Sequence, residues 1–157
     1  MDNFRFPFRK PIYEKVKLER IERIEGVAEA EGLQSAPVEW RYVGDEEWQT
    51  GVLNGRENYT EQKMTVVGLV SGVWPDRDTI GVGQISVGPS TVAEGDTIEL
   101  RFGDRTRTVD VVATMDPVGP TPVFGETFYA NGRTFERITG IDSYSLIQTR
   151  DVEFDQE

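Results

Sequence analysis

The chain contains no histidine and no cysteine. That removes the commonest general base and metal ligand and any thiolate site. Catalysis would then fall to carboxylate pairs, Ser–Lys pairs or a lysine nucleophile. Asp and Glu total 28, but none sits in a recognisable frame such as a nucleophile elbow, and a solvated acidic surface is the simpler reading. Three short motifs approach known binding frames. Gly81-Val82-Gly83 opens like a dinucleotide fingerprint, yet Ser86 stands where the third glycine belongs and Pro89 follows where a helix should run. Asp76-Arg77-Asp78 with Gly81 has the opening spacing of a calcium loop, but the apolar Ile80 and Val87 occupy two ligand positions, so a solvated turn is expected. Asn58-Tyr59-Thr60 is an N-glycosylation sequon, of consequence only if the protein leaves the cytoplasm. No catalytic, cofactor-binding or metal-ligating residue is assigned, no cofactor is expected, and the chain is expected not to be an enzyme.

The totals bound the rest. A chain of 157 residues makes one domain, or one domain with arms, and buries a core without staples. Without cysteine there are no disulfides, and the redox compartment stays open. No apolar run reaches the length of a membrane span. MDNFRFPFRKP, at the start, is broken by charges and prolines, which argues against a signal peptide. The net charge is −11, with four lysines and thirteen arginines. Acid-rich, lysine-poor and cysteine-free is the composition associated with extreme halophiles, in which dense carboxylates keep a surface hydrated. It disfavours free binding to nucleic-acid phosphates.

The elements read as mainly β. AEGDTIELRFGDRTRTVDVVAT, residues 93–114, is the plainest hairpin. Ile98, Leu100 and Phe102 alternate with Glu99 and Arg101, Gly103-Asp104 turns, and Val109, Val111 and Ala113 alternate on the return. The register sets Phe102 opposite Arg105, Leu100 opposite Arg107 and Ile98 opposite Val109. One face then packs, with Arg105 and Arg107 near its turn end. The wet face carries Thr97, Glu99 and Arg101 against Asp110, Thr108 and Thr106. PVEWRYVGDEEWQTGVL at 37–53 reads as another hairpin, its aromatics Trp40, Tyr42 and Trp48 serving the core. MTVVGLVSGVW at 64–74 is the most apolar stretch and reads as a central strand. A short strand is expected around Gln84–Val87, and Asn131-Gly132 is read as a hairpin turn between Thr127–Ala130 and Thr134–Ile138. Residues 12–33 read as an extended lead-in followed by a short helix or strand, and 54–63 as a surface loop.

The organisation expected is a small β-barrel or sandwich of short antiparallel strands with an extended N-terminal arm and little helix. Residues 1–11 form a docking arm, 12–63 pack on the barrel as strands or a short helix, 64–142 form the barrel core, and 143–157 hold a last strand and an acidic tail. In the arm, Phe4, Phe6 and Phe8 recur at period two beside Arg5 and Arg9. The loop 115–125, MDPVGPTPVFG, is stiffened by Pro117, Pro120 and Pro122 and ends near Phe124.

This layout, with VGQISVGPSTVAEGDTIEL, RTVDVVAT and FYANGRTFERITGID inside residues 64–140, resembles the head–tail joining proteins of tailed viruses, of the head-closure or stopper type. The resemblance implies a structural virion protein of a salt-loving archaeal virus, assembled in the host cytoplasm. It implies a homo-oligomeric ring beneath the portal or its adaptor, joined to the tail, touching packaged DNA passively and no membrane. Residues 117, 120, 122 and 124 would then line the channel. Phe4, Arg5, Phe6, Phe8, Arg9, Glu99 and Arg101 would form interfaces. The length of 12–63 departs from that family. The alternative is a small acidic cytoplasmic module that docks one protein partner through its aromatic arm.

Overall fold

The computed structural model describes residues 16–24, 26–62, 64, 66–84, 92–116 and 125–151. The arm (Phe4, Arg5, Phe6, Phe8, Arg9), the loop residues Pro117, Pro120, Pro122 and Phe124, and the acidic tail lie outside the described residues. The elements run α1 (Val16–Glu22), β1 (Val27–Tyr42), β2 (Gln49–Arg56), β3 (Gly68–Gly72), β4 (Thr79–Gly83), β5 (Thr97–Phe102), β6 (Arg105–Asp116), β7 (Glu126–Asn131), α2 (Gly132–Thr139) and β8 (Leu146–Asp151), with a 3₁₀ turn at Tyr59–Glu61. The protein is mainly β, an eight-stranded mixed sheet.

The β5–β6 hairpin has the register its alternation dictates, Ile98↔Val109, Leu100↔Arg107 and Phe102↔Arg105. Ile98, Leu100, Val109, Val111 and Ala113 are all buried. At roughly 1.5–3 kcal/mol for each large apolar side chain removed from water, that face alone drives the ribbon onto the core. Gly103 takes the positive φ of 61° that the tight turn requires.

β1 is long because its alternation never breaks. Ala30, Gln34, Ala36, Val38 and Trp40 point inward at period two. One edge of β1 pairs antiparallel with β2 from Leu33↔Arg56 to Trp40↔Gln49. The other edge serves β8 over its first half and β5 over its last four residues. β2 continues in parallel to β7, β7 antiparallel to β4, β4 parallel to β6, and β6 antiparallel to β5. Since β5 and β2 both pair with β1, the path returns to its start.

Inside this path Trp40, Leu53, Ile80, Ile98, Leu100 and Phe128 meet Phe135 and Ile138 from α2. Trp40 makes edge contacts with Tyr42 at 5.5 Å and Phe128 at 6.1 Å between ring centroids. A smaller cluster joins Tyr59, Val67, Ala113, Met115 and Tyr129, with Tyr59 stacked on Trp74 at 6.0 Å.

Two expectations about elements are corrected. Asn131-Gly132 opens a helix and not a hairpin. Asn131 has φ −72°, its side chain accepts from the Thr134 amide at 2.9 Å, and Gly140 closes α2 at φ 76°. Phe135 and Ile138, three apart, then fall on one helical face and enter the core. The run 64–74 is not a central strand. β3 pairs only with β6, off the main path, and Val66, Val70 and Val73 are exposed. The strand expected at Gln84–Val87 falls almost wholly outside the described residues, and β4 ends just before it at Gly83. Within β4, Gly81 is needed because Met115 fills the space a Cβ would take; residues 85–91 lie outside the described residues.

Candidate interaction surfaces

Two polar constellations rise from the hairpin. The first is built where β1 and β5 pair, with Glu39 opposite Arg101 and Arg41 opposite Glu99. Side chains directly opposite on one face of a sheet interact, and here each opposite pair is an ion pair. Arg41 reaches Glu99 at 3.0 Å, and Arg101 reaches Glu39 at 2.9 Å. Trp48, in the connection before β2, lies under both guanidinium groups, each 4.1 Å from the ring centroid. The indole face attracts both cations. Trp48 is therefore not core, in contrast to Trp40. It clamps a four-charge ladder whose charges cancel. Glu99 and Arg101, expected as interface residues, both stand here with partners in their own chain.

The second constellation is cationic. Arg105 and Arg107 at the start of β6 and Arg137 in the last turn of α2 line an open cleft of about 580 Å³, together with Asp78, Asp104, Thr106 and Thr108. Arg137 is held by Asp78 at 3.2 Å. Arg107 donates Nε to the Arg137 carbonyl at 3.1 Å, which satisfies one orphan acceptor at the helix end. The Arg105 guanidinium lies beside Gly140, where a Cβ would come within 3.0 Å of it. Neither Arg105 nor Arg107 makes an ion pair among the described residues, so both direct charge into the cleft. Local alternation showed where Arg105 and Arg107 sit. Arg137 was missed because its approach depends on α2, which the hairpin reading of Asn131-Gly132 concealed.

Asp76 and Asp78, weighed as a calcium loop, instead tie the β4 approach to α2. The Asp78 amide donates to Thr134 Oγ1 at 3.1 Å, and that hydroxyl donates to the Asp76 carbonyl at 3.1 Å. Among the described residues no group of three or more Asp or Glu is placed to hold a metal ion. Gln62 and Met64 are held by the buried Arg56, which bridges Glu31 at 3.4 Å, donates to Gln62 and donates to the Met64 carbonyl at 3.0 Å. Burial pushes the Tyr59 hydroxyl well above its usual range. Burial, helped by Asp116, pushes Tyr129 up to about 12. Tyr144 is pushed up to about 12 by burial and by Glu57, to which its hydroxyl donates.

No family model matches the chain, and no curated protein matches it. Solved structures do. The extracellular domain of the ABC-type transporter YknZ from Gram-positive bacteria superposes with a TM-score of 0.64 at 14% identity, over 90% of this chain and 74% of that one. The periplasmic region of MacB from Actinobacillus actinomycetemcomitans superposes with a TM-score of 0.58 at 11% identity, over 95% of this chain and 69% of that one. The chain shares their fold.

This finding overturns the viral resemblance. A fold shared over nine-tenths of the chain with transporter domains replaces a likeness carried by turn and strand patterns in residues 64–140. The head–tail connector function, the homo-oligomeric ring with portal, adaptor and tail, the passive contact with packaged DNA and the virion location are withdrawn with it. The cytoplasmic-module alternative gains no support from the same comparison. The connector reading failed because short alternating strands with Gly and Pro turns are common to many small β folds, so the pattern identifies a class and not a lineage.

Proposed function

We propose that this chain is an extracytoplasmic domain of an ABC-type transport assembly, a non-catalytic module that contacts a protein partner. The observation that carries this reading is the fold shared with the extracellular domain of YknZ across 90% of the chain. The strand path β1–β2–β7–β4–β6–β5 closes on itself as a six-stranded barrel, with α2 seated against one side of its core and β3 and β8 as appended strands.

The non-catalytic part rests on the side chains. In the ladder, Arg41 and Arg101 are each paired with a carboxylate, Glu99 and Glu39. The displaced titrations belong to tyrosines held neutral, and a general base needs the opposite, a group poised near the working pH. The partner contact is assigned to the arginine cleft, where a chain of net charge −11 presents Arg105 and Arg107 without an ion pair among the described residues. Arginine suits carboxylates because its planar fork binds them bidentately, so the partner segment is acidic.

The test is made on intact cells that produce the protein. An external protease is expected to remove the domain without lysis, and a photo-crosslinking residue at position 106 is expected to capture a membrane transport subunit. Protection of the domain until lysis would overturn the reading.

A further inference from the structure

We propose that Asn58 carries an N-linked glycan, an inference that rests on the extracytoplasmic location just proposed. Asn58-Tyr59-Thr60 is the only Asn-X-Ser/Thr triplet in the chain, and the fold presents it as an acceptor. Asn58 and Thr60 are exposed, while Tyr59 between them is 5% exposed and anchors the segment by stacking on Trp74. The Asn58 carbonyl oxygen accepts from the Thr60 amide at 2.9 Å and from the Thr60 hydroxyl at 2.6 Å. Both bonds use Oδ1. They leave Nδ2, the atom a glycan would occupy, without a hydrogen-bond partner among the described residues. The structural alternative is that Asn58 serves only as the cap of the short 3₁₀ turn, and that role needs Oδ1 alone.

The position also suits a bulky adduct. Asn58 follows the end of β2, where Arg56 pairs with Asn131, the residue that caps the N-terminus of α2. The arginine cleft lies at the other end of α2, at Arg137. Arg137 stands six residues after Asn131, a rise of about 9 Å along the helix axis, and Asn58 is not among the residues that line the cleft. In the transfer, Nδ2 forms a bond to the anomeric carbon of a sugar carried on a lipid phosphate. The bond from that carbon to the phosphate oxygen breaks, the lipid phosphate leaves with the electron pair, and Nδ2 gives one proton to a base of the transferase.

The experiment is peptide mass spectrometry on the protein isolated from the cells that make it. Trypsin should release ENYTEQK, residues 57–63. The expected result is a hexose- or hexosamine-containing mass increment on this peptide. It should vanish in Asn58→Gln and in Thr60→Ala and persist in Thr60→Ser. The external-protease assay is run on the same cells. An unmodified peptide from a domain that the protease removes overturns glycosylation and leaves the location intact. An unmodified peptide from a protected domain overturns both.

Discussion

Trp48→Ala isolates the clamp on the β1–β5 ladder. The indole contacts two guanidinium groups, each 4.1 Å from its centroid. A cation over an aromatic face at a partly exposed site contributes about 0.5–1 kcal/mol, so the two together contribute about 1–2 kcal/mol. The ring also shields two ion pairs, whose Arg41 and Arg101 side chains are only 27% and 32% exposed. Exposed pairs are worth about 0.2–1 kcal/mol each and weaken as water enters. The expected loss is about 2 kcal/mol. For a chain of this size that corresponds to a fall in Tm of about 4–8 °C.

Urea denaturation gives the difference directly if m is unchanged. The decisive measurement is a double-mutant cycle of Trp48→Ala with Arg101→Gln. Contacting residues couple, and the cation–π contact predicts a coupling of about 0.5–1 kcal/mol. It should persist in 1 M salt, where the Debye length is about 3 Å, because the partners are in contact. Additivity within about 0.3 kcal/mol would refute the clamp and return Trp48 to the role of a passive loop residue. Arg101→Glu adds a second arm. It places like charges directly opposite at Glu39 and next to Glu99 on β5, and should destabilise the monomer more than Arg101→Gln does; combining it with Glu39→Arg should recover most of the loss.

Two further outcomes follow from the fold. Tyr129 and Tyr144 are pushed from 10 to about 12 in the native state, so between about pH 10 and 12 the unfolded chain has released protons that the native state keeps. Native stability is whole below pH 10 and falls as pH rises through that window; Tyr144→Phe should flatten the fall in urea midpoint, and a midpoint that is level to pH 11.5 would contradict it. Asn131→Ala removes the cap of α2 and should cost about 1 kcal/mol, whereas Asn131→Ser keeps a capping oxygen and should stay within about 0.5 kcal/mol of the parent. A hairpin turn would rank these differently, because serine fits a positive-φ position no better than alanine does.

The parts of the fold that were legible are those decided within a few residues. The β5–β6 register follows from strict alternation around Gly103-Asp104 and is observed pair for pair. Asn131-Gly132 carries two local meanings, cap and turn. The choice between them lies in Phe135 and Ile138, which gain burial only as a helix against Trp40, Leu53 and Leu100, residues at least thirty positions away. The run 64–74 misleads for a similar reason. β-branched residues suit strands, but whether a strand is central or at an edge is set by its neighbours, and β3 has β6 alone. The parallel pairs β2–β7 and β4–β6 leave no local signature at all. The clamp was half legible: Arg41 and Trp48 are close in sequence, but Arg101 arrives only through the β1–β5 ladder.

The charge pattern gives the proposed partner face its orientation. Arg41, Arg56, Arg101, Arg137 and Arg150 are each engaged with a carboxylate of the same chain. Those pairs do not reduce the net charge of −11, but all except the buried Arg56 pair leave their part of the described surface locally neutral. Arg105 and Arg107, which share one cleft, make no ion pair among the described residues. An acidic partner segment is opposed by the net charge of −11 and attracted by the guanidinium groups of that cleft. Such a field selects an orientation and raises the rate of productive encounter more than it raises affinity. The β5–β6 hairpin therefore serves two ends of one ribbon. Its strand face is closed off by the neutral clamp at Trp48, and its turn end holds the two arginines out against α2, where the fold can offer them to a partner.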